Sequence, residues 1–239
     1  MIKIKSLASL ILIILLPLSS ASVFSQDKFQ AGGHFMLGFP QGEFRENVEN
    51  TGFGGSFYFA YRFPRSFFST GISFGFMIYG HERREEALGP TIPDLIVDVT
   101  TTNSILLGHL FFRLQPPQGR FRPYLDGLVG LNYLTTDTSL DEHNDWDDDQ
   151  ISSNNFNDLA LSYGMGGGIM VSLVEFRRVG SGRRVLSLDL DFGVRYLKGG
   201  EAEYLKKGSI HREDGSVTYD VYRSRTDLLK ANVGVTFSF

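Results

Sequence analysis

The chain has 239 residues, a formal charge of −4, no cysteine, 27 glycines, 21 phenylalanines and 10 tyrosines. The acidic balance argues against a nucleic-acid partner, and the lack of cysteine excludes both a disulfide framework and a lipid-anchored cysteine. A mean hydropathy of −0.08 beside so many aromatic residues suits a chain whose apolar positions alternate with polar ones.

The first residues read as a processing segment. Lys3 and Lys5 make a positive start, Leu7 to Leu16 is an apolar run too short to span a bilayer as a helix, and Pro17 to Ser25 is small and polar. Residues 1–25 are therefore expected to be a cleaved secretory signal peptide, and 26–239 the mature domain. Removal of Lys3 and Lys5 would take the formal charge from −4 to −6. No later stretch holds 18 consecutive apolar residues, so any crossing of a membrane falls to strands.

From Lys28 to Phe39 the side chains alternate, with Phe29, Phe35, Leu37 and Phe39 of one parity and Gln30, His34 and Met36 of the other. A period of 2 puts each set on one face of a strand. Pro40 to Thr51 is polar and reads as a loop. Gly52 to Phe63 has the cleanest pattern, with Phe53, Phe57, Phe59 and Tyr61 opposed to Ser56, Tyr58 and Arg62. A short Pro64-Arg65 turn leads to a third strand, Phe68 to about Tyr79. His81 to Thr102 is a mixed-charge loop by composition. A fourth strand runs from Asn103 to Leu114, where Ile105, Leu107 and Phe111 fall on the face that is otherwise polar.

A turn at Gln115–Gly119 precedes strand five, Phe121 to Leu134. Thr135 to Asp158 reads as a long loop holding the acidic run Asp141–Asp149, which lacks the glycine and glutamate spacing of an EF-hand, so no metal site is expected. Strand six covers Leu159 to Val174, strand seven follows the Gly180-Ser-Gly182 turn, and strand eight runs from Leu228 to Phe239. Soluble strands usually have about 5 or 6 residues. These are long enough for the roughly 9–11 residues that a tilted strand needs to cross a bilayer.

Eight strands joined by alternating long and short connections define the expected fold: all-β, a closed eight-stranded antiparallel up-and-down transmembrane β-barrel. Phe, Tyr and His residues at strand ends, such as Phe39, Phe63, Phe121 and Tyr196, are expected to form aromatic girdles. Between strands seven and eight, a two-residue turn at Asp214-Gly215 would pair Glu203–His211 with Ser216–Tyr222 as a protruding hairpin. Carried down the ladder, that register sets Arg195 opposite Gly234 and Asp191 opposite Ser238.

Parity also assigns the lumen. Arg62, Arg113, Asp126, Asp189, Asp191, Arg195 and Lys230 point inward, and desolvated charges need partners, so an ion-pair network or gate is expected. Arg62, Arg113, Asp126 and Asp189 are expected toward the periplasmic end, Arg195 and Lys230 toward the external end. A two-residue turn at Pro117-Gln118 would make His109 and Asp126 a cross-strand pair. Met36, Met77, Ile105, Leu107, Phe111, Leu128, Leu134 and Met170 would fill the space between polar layers, or form an apolar gallery for small solutes.

The terminal Val233-Gly-Val-Thr-Phe-Ser-Phe239, together with Arg122–Gly130 and Tyr163–Gly168, resembles the Gly-rich strands of the small eight-stranded outer-membrane barrels, the superfamily of the outer-membrane protein A transmembrane domain and outer-membrane protein W. That resemblance implies an outer-membrane location in a Gram-negative envelope and recognition of Phe239 by the barrel-assembly machinery. It also implies contact with lipid and lipopolysaccharide, to whose phosphates Lys206, Lys207, His211, Arg212, Arg223 and Arg225 would be suited. Some relatives are lipid A acyltransferases or deacylases, but no nucleophile and base come together here, so neither catalytic residues nor a cofactor is expected. The expected role is a monomeric, porin-like barrel with a mostly plugged lumen, serving envelope structure or surface interaction. The alternative is a narrow conduit for small solutes, hydrophobic ones included.

Overall fold

The structure, a computed structural model, describes residues 28–48, 50–87, 96–141, 151–177, 185–213 and 216–239. The expected signal segment 1–25 lies outside the described residues, as do most of the acidic run and the side chains of Lys206, Lys207, His211 and Arg212. Among the described residues, ten strands and one short helix follow in order: β1 (Phe29–Pro40), α1 (Gly42–Asn47), β2 (Gly52–Arg62), β3 (Phe68–Ala87), β4 (Ile96–Leu114), β5 (Phe121–Asp141), β6 (Ile151–Arg177), β7 (Val185–Gly199), β8 (Glu201–Glu213), β9 (Ser216–Arg225) and β10 (Leu228–Ser238). Strands β1 to β7 and β10 close into an antiparallel barrel in the order β1-β10-β7-β6-β5-β4-β3-β2, while β8 and β9 form a separate two-stranded hairpin.

Closure joins the two ends of the described chain. Gln30 pairs with Ser238 and Pro40 with Leu228, and Phe29 and Phe239 exchange backbone hydrogen bonds of 2.9 Å. No sheet edge is left in the barrel wall, which is the condition for a sheet to sit in hydrocarbon. The alternation holds throughout: along β1 and β10, outward residues are exposed or half-buried and almost every inward one is buried. Outside stands a band of exposed Phe, Leu and Val; Phe57, Phe112, Leu125 and Leu161 are each more than 60% exposed. In water such a band would be an aggregation surface. Around a closed sheet it is the lipid-facing belt.

Several strands run beyond the belt. The segments expected as loops at 81–102 and 135–158 are strand for much of their length, pairing out to Ala87 with Ile96 and Asp98 with Asp141. Thr100-Thr-Thr102 and Thr135-Thr136 explain the continuation, since β-branched residues favour the ladder whether or not lipid covers it. The stretch expected as a loop after Pro40 holds α1, whose Phe44 is fully buried.

Two register expectations need correction. At the β7–β10 ladder Arg195 faces Lys230 and Asp191 faces Gly234, each four residues from the expected partner. The hairpin itself forms, with Glu213 opposite Ser216 and His211 opposite Thr218. Between Leu205–Val221 and Ile210–Tyr219, however, β8 takes five steps against two on β9. One further residue is absorbed where the hairpin joins the barrel, between the pairs Glu201–Arg225 and Leu197–Leu228. At the β4–β5 ladder Asp126 faces Arg113 and His109 faces Gly130. Pro116 and Pro117 cannot donate to a ladder. The chain therefore leaves β4 at Leu114, and Phe121–Tyr124 pairs with β6 alone.

Candidate functional site

Among the described residues, the lumen is where the fold gathers chemistry-bearing side chains from nearly every strand. At the short-turn end, Arg62 on β2 donates to Gln115 Oε1 at 3.3 Å and to the Pro117 carbonyl at 3.4 Å. Arg122 on β5 pairs with Asp189 on β7, and Ser187 Oγ donates to the same carboxylate at 3.2 Å.

The centre is a shared-carboxylate cluster. Arg113 holds Asp126 in a two-pronged grip, Nε to Oδ1 at 2.7 Å and Nη2 to Oδ2 at 2.9 Å. Arg195 reaches the same carboxylate with Nε at 3.1 Å and Nη2 at 2.9 Å. Such fork-to-carboxylate contacts are the strong, charge-assisted kind. With its amide oxygen turned inward, Asn232 accepts from Arg195 Nη1 at 2.9 Å. The Arg113 guanidinium lies 3.8 Å from the Tyr124 ring centroid and 5.2 Å from that of Tyr58. Tyr124 donates to Asp191 Oδ1 at 2.7 Å, and His34 Nε2 meets Asp191 Oδ2 at 3.0 Å. Tyr58 and Thr236 hydroxyls lie 2.9 Å apart. Side chains from β1, β2, β4, β5, β7 and β10 thus meet across the barrel.

Glycine makes the room. A Cβ at Gly168 or Gly193 would run into the Tyr124 hydroxyl, so both positions are bare where that ring crosses to Asp191.

All seven residues expected in a network or gate (Arg62, Arg113, Asp126, Asp189, Asp191, Arg195, Lys230) are buried in the lumen. They do not separate into two ends as expected. Strand tilt sets Asp126 opposite Gly166 and Gly166 opposite Arg195, so Arg195 meets Asp126 at mid-height. The expected His109–Asp126 pair does not form. His109 Nε2 instead lies 3.1 Å from Ser162 Oγ. Arg122 and Tyr124 are two lumen groups that the sequence reading left out, although they share the parity of Asp126 and Leu128. Both lie within strand five as the pattern defines it, Phe121 to Leu134, so parity alone was enough to find them.

Toward the long-loop end the lumen turns apolar. Met36, Met77, Ile105, Leu107 and Leu134 are at most 1% exposed. Beyond them Phe44 from α1 packs edge-on against Tyr79 and Tyr204, at 5.6 and 5.4 Å between centroids. The helix and hairpin therefore sit over the mouth, joined by Arg225 N donating to Glu43 Oε2 at 3.1 Å.

A closed barrel with a lipid-facing belt and a filled polar lumen has the architecture of the small outer-membrane β-barrels. No protein-family model matches the sequence, and no curated protein matches it. Among solved structures it is similar to Neisserial surface protein A, at 13% identity over 90% of this chain and 100% of that one, TM-score 0.40. It is also similar to a major outer membrane protein from Thermus thermophilus, at 15% identity over 88% and 99%, TM-score 0.37. The N-terminal β-barrel domain of Pseudomonas aeruginosa OprF shows 12% identity over 90% and 100%, TM-score 0.34. At these identities and scores the likeness conveys nothing about activity.

Proposed function

We propose that the protein is an outer-membrane barrel with a plugged lumen, serving envelope structure or surface interaction rather than conduction or catalysis. The observation that supports this reading is the Arg113–Asp126–Arg195 cluster. It joins β4, β5 and β7 through four short hydrogen bonds, and none of its three side chains is more than 6% exposed. An ion path would need that cluster to part, leaving charges unpaired in a medium that solvates them poorly. An apolar conduit would need the Met36–Leu134 layer to open, and those side chains are packed as core. Lipid and lipopolysaccharide are the partners the belt suits, with exposed Arg223 and Arg225 beyond it. Phe239, on the closing seam beside Phe29, is the residue through which the assembly machinery would engage the last strand.

The test is single-channel recording of the purified protein in planar bilayers, with Arg62→Ala and Asp189→Ala beside the wild type. Silent membranes for the wild type are the expected result. Reproducible unitary steps from the wild type would overturn the reading in favour of a narrow channel.

A further inference from the structure

The charge bookkeeping around the cluster does not close. Arg113 and Arg195 share one carboxylate, and Asp191 is already engaged by His34 and Tyr124. Lys230 lies directly across the ladder from Arg195. It is 3% exposed, and no carboxylate stands within ion-pair reach of it among the described residues. A buried ammonium without a counter-charge is costly enough that the group either gives up its proton or takes a counter-ion.

Beside Lys230 the lumen encloses a cavity of about 10 Å³. Its polar walls come from six strands, through Lys230, Arg195, His34, His109, Ser56 and Ser73. Every polar side chain in that set can donate a hydrogen bond, and no carboxylate lines the space. His34 spends its Nε2–H on the Asp191 carboxylate, while His109, with Nε2 accepting from the Ser162 hydroxyl, turns Nδ1–H toward the cavity. The Ser56 hydroxyl is buried and makes no hydrogen bond. Arg195 spends Nε and Nη2 on Asp126 and only one Nη1 hydrogen on Asn232. Donors converge here from all sides, with positive charge in excess.

We infer that this cavity is a binding site for a single small inorganic anion, a halide in the size range of chloride, which serves as the counter-ion of Lys230. Size sets the class. About 10 Å³ admits one water-sized particle, whereas a four-oxygen oxyanion does not fit. Water alone would satisfy donors but would leave the ammonium uncompensated.

The experiment is thermal unfolding of the full barrel in detergent, followed by circular dichroism, in sodium chloride, sodium gluconate and sodium sulfate at matched ionic strength. A ligand bound only by the folded state raises the midpoint in proportion to the logarithm of its concentration. We expect chloride to raise it by about 2–4 °C over gluconate, sulfate to shift wild type and Lys230→Met alike through its general exclusion from the surface, and Lys230→Met to abolish the chloride effect. Equal midpoints in chloride and gluconate, or a chloride effect that survives in Lys230→Met, would overturn the assignment. Should that variant fail to fold, bromide anomalous scattering from wild-type crystals decides. A peak in contact with Lys230 Nζ supports the site, and no peak there refutes it. Neither readout depends on whether the barrel conducts.

Discussion

Removing Asp126 is the sharpest perturbation of this lumen. Asp126→Ala deletes the acceptor of four hydrogen bonds between 2.7 and 3.1 Å and strands two guanidinium groups. Arg113 is fully buried and Arg195 is 6% exposed, so neither can turn to solvent without unpacking the wall. Adding the bonds at about 1.5–3 kcal/mol each would give far too much, because four bonds that share one carboxylate do not contribute additively. The relevant quantity is the cost of breaking a buried pair by removing one member, about 3–5 kcal/mol. Part of this is recoverable, since the Arg113 guanidinium keeps its face on the Tyr124 ring. A loss of about 3 kcal/mol is therefore expected, read as a lower urea midpoint at unchanged slope for the barrel refolded into lipid vesicles. The companion variant replaces all three charges together, Arg113→Met with Asp126→Leu and Arg195→Met. It should lose much less, because no charge is left unpaired. If Asp126→Ala unfolds within about 1 kcal/mol of the wild type, the cluster is not what holds these strands in register, and the plugged-lumen reading loses its support.

Two further outcomes follow from the belt and the mouth. Phe57, at the middle of β2, is 61% exposed and packs its ring at a tilt against its cross-strand partner Phe74, 5.3 Å between centroids. Phe57→Arg should cost about 2–4 kcal/mol in lipid and little in urea-solubilised chain, so a variant as stable as wild type in vesicles would place this face away from hydrocarbon. Phe44→Ala removes the ring that wedges between Tyr79 and Tyr204, and hydrogen exchange should show residues 201–205 and 221–225 opening at least about tenfold faster, a factor worth roughly 1.4 kcal/mol, while the belt strands stay protected. Unchanged exchange there would mean that α1 does not hold the hairpin down.

What the sequence revealed, and what it hid, both follow from the strand's period of 2. Alternating Phe and polar residues from Phe29 to Phe239 were enough to fix the barrel, the strand count and the inward face, because lipid tests every second residue. Beyond the belt that test ends. The runs at 81–102 and 135–158 therefore looked like loops although the ladder continues through much of each. Parity is equally blind to register. Both misplaced ladders, β4–β5 and β7–β10, are displaced by four residues, an even number, so every side chain kept its face while almost every neighbour changed. Turn chemistry was the only local guide to register, and each time the chain stored extra residues outside the belt, in the Gln115–Arg120 turn or along β8.

That blindness has a physical consequence for the lumen. An inward residue's face is enforced by burial, but its partner is set by a sliding register that hydrophobicity alone leaves degenerate in steps of two. Something must select one register among these, and the side chains that depend on it are the polar ones. Arg113 reaches Asp126 head-on only in the observed β4–β5 ladder, and Arg195 reaches the same carboxylate only in the observed β5–β6–β7 ladders. A two-residue slip at either would leave the belt and the apolar layer nearly unchanged, yet separate a buried cation from its carboxylate. On this argument the buried charges, which add little net stability over an apolar filling, act as the register lock of the barrel. The triple apolar variant then carries a second expectation: it should keep its unfolding midpoint but show heterogeneous cross-strand contacts between β4 and β5 by NMR. A single native register in that variant would assign the lock to the Pro116-Pro117 turn instead.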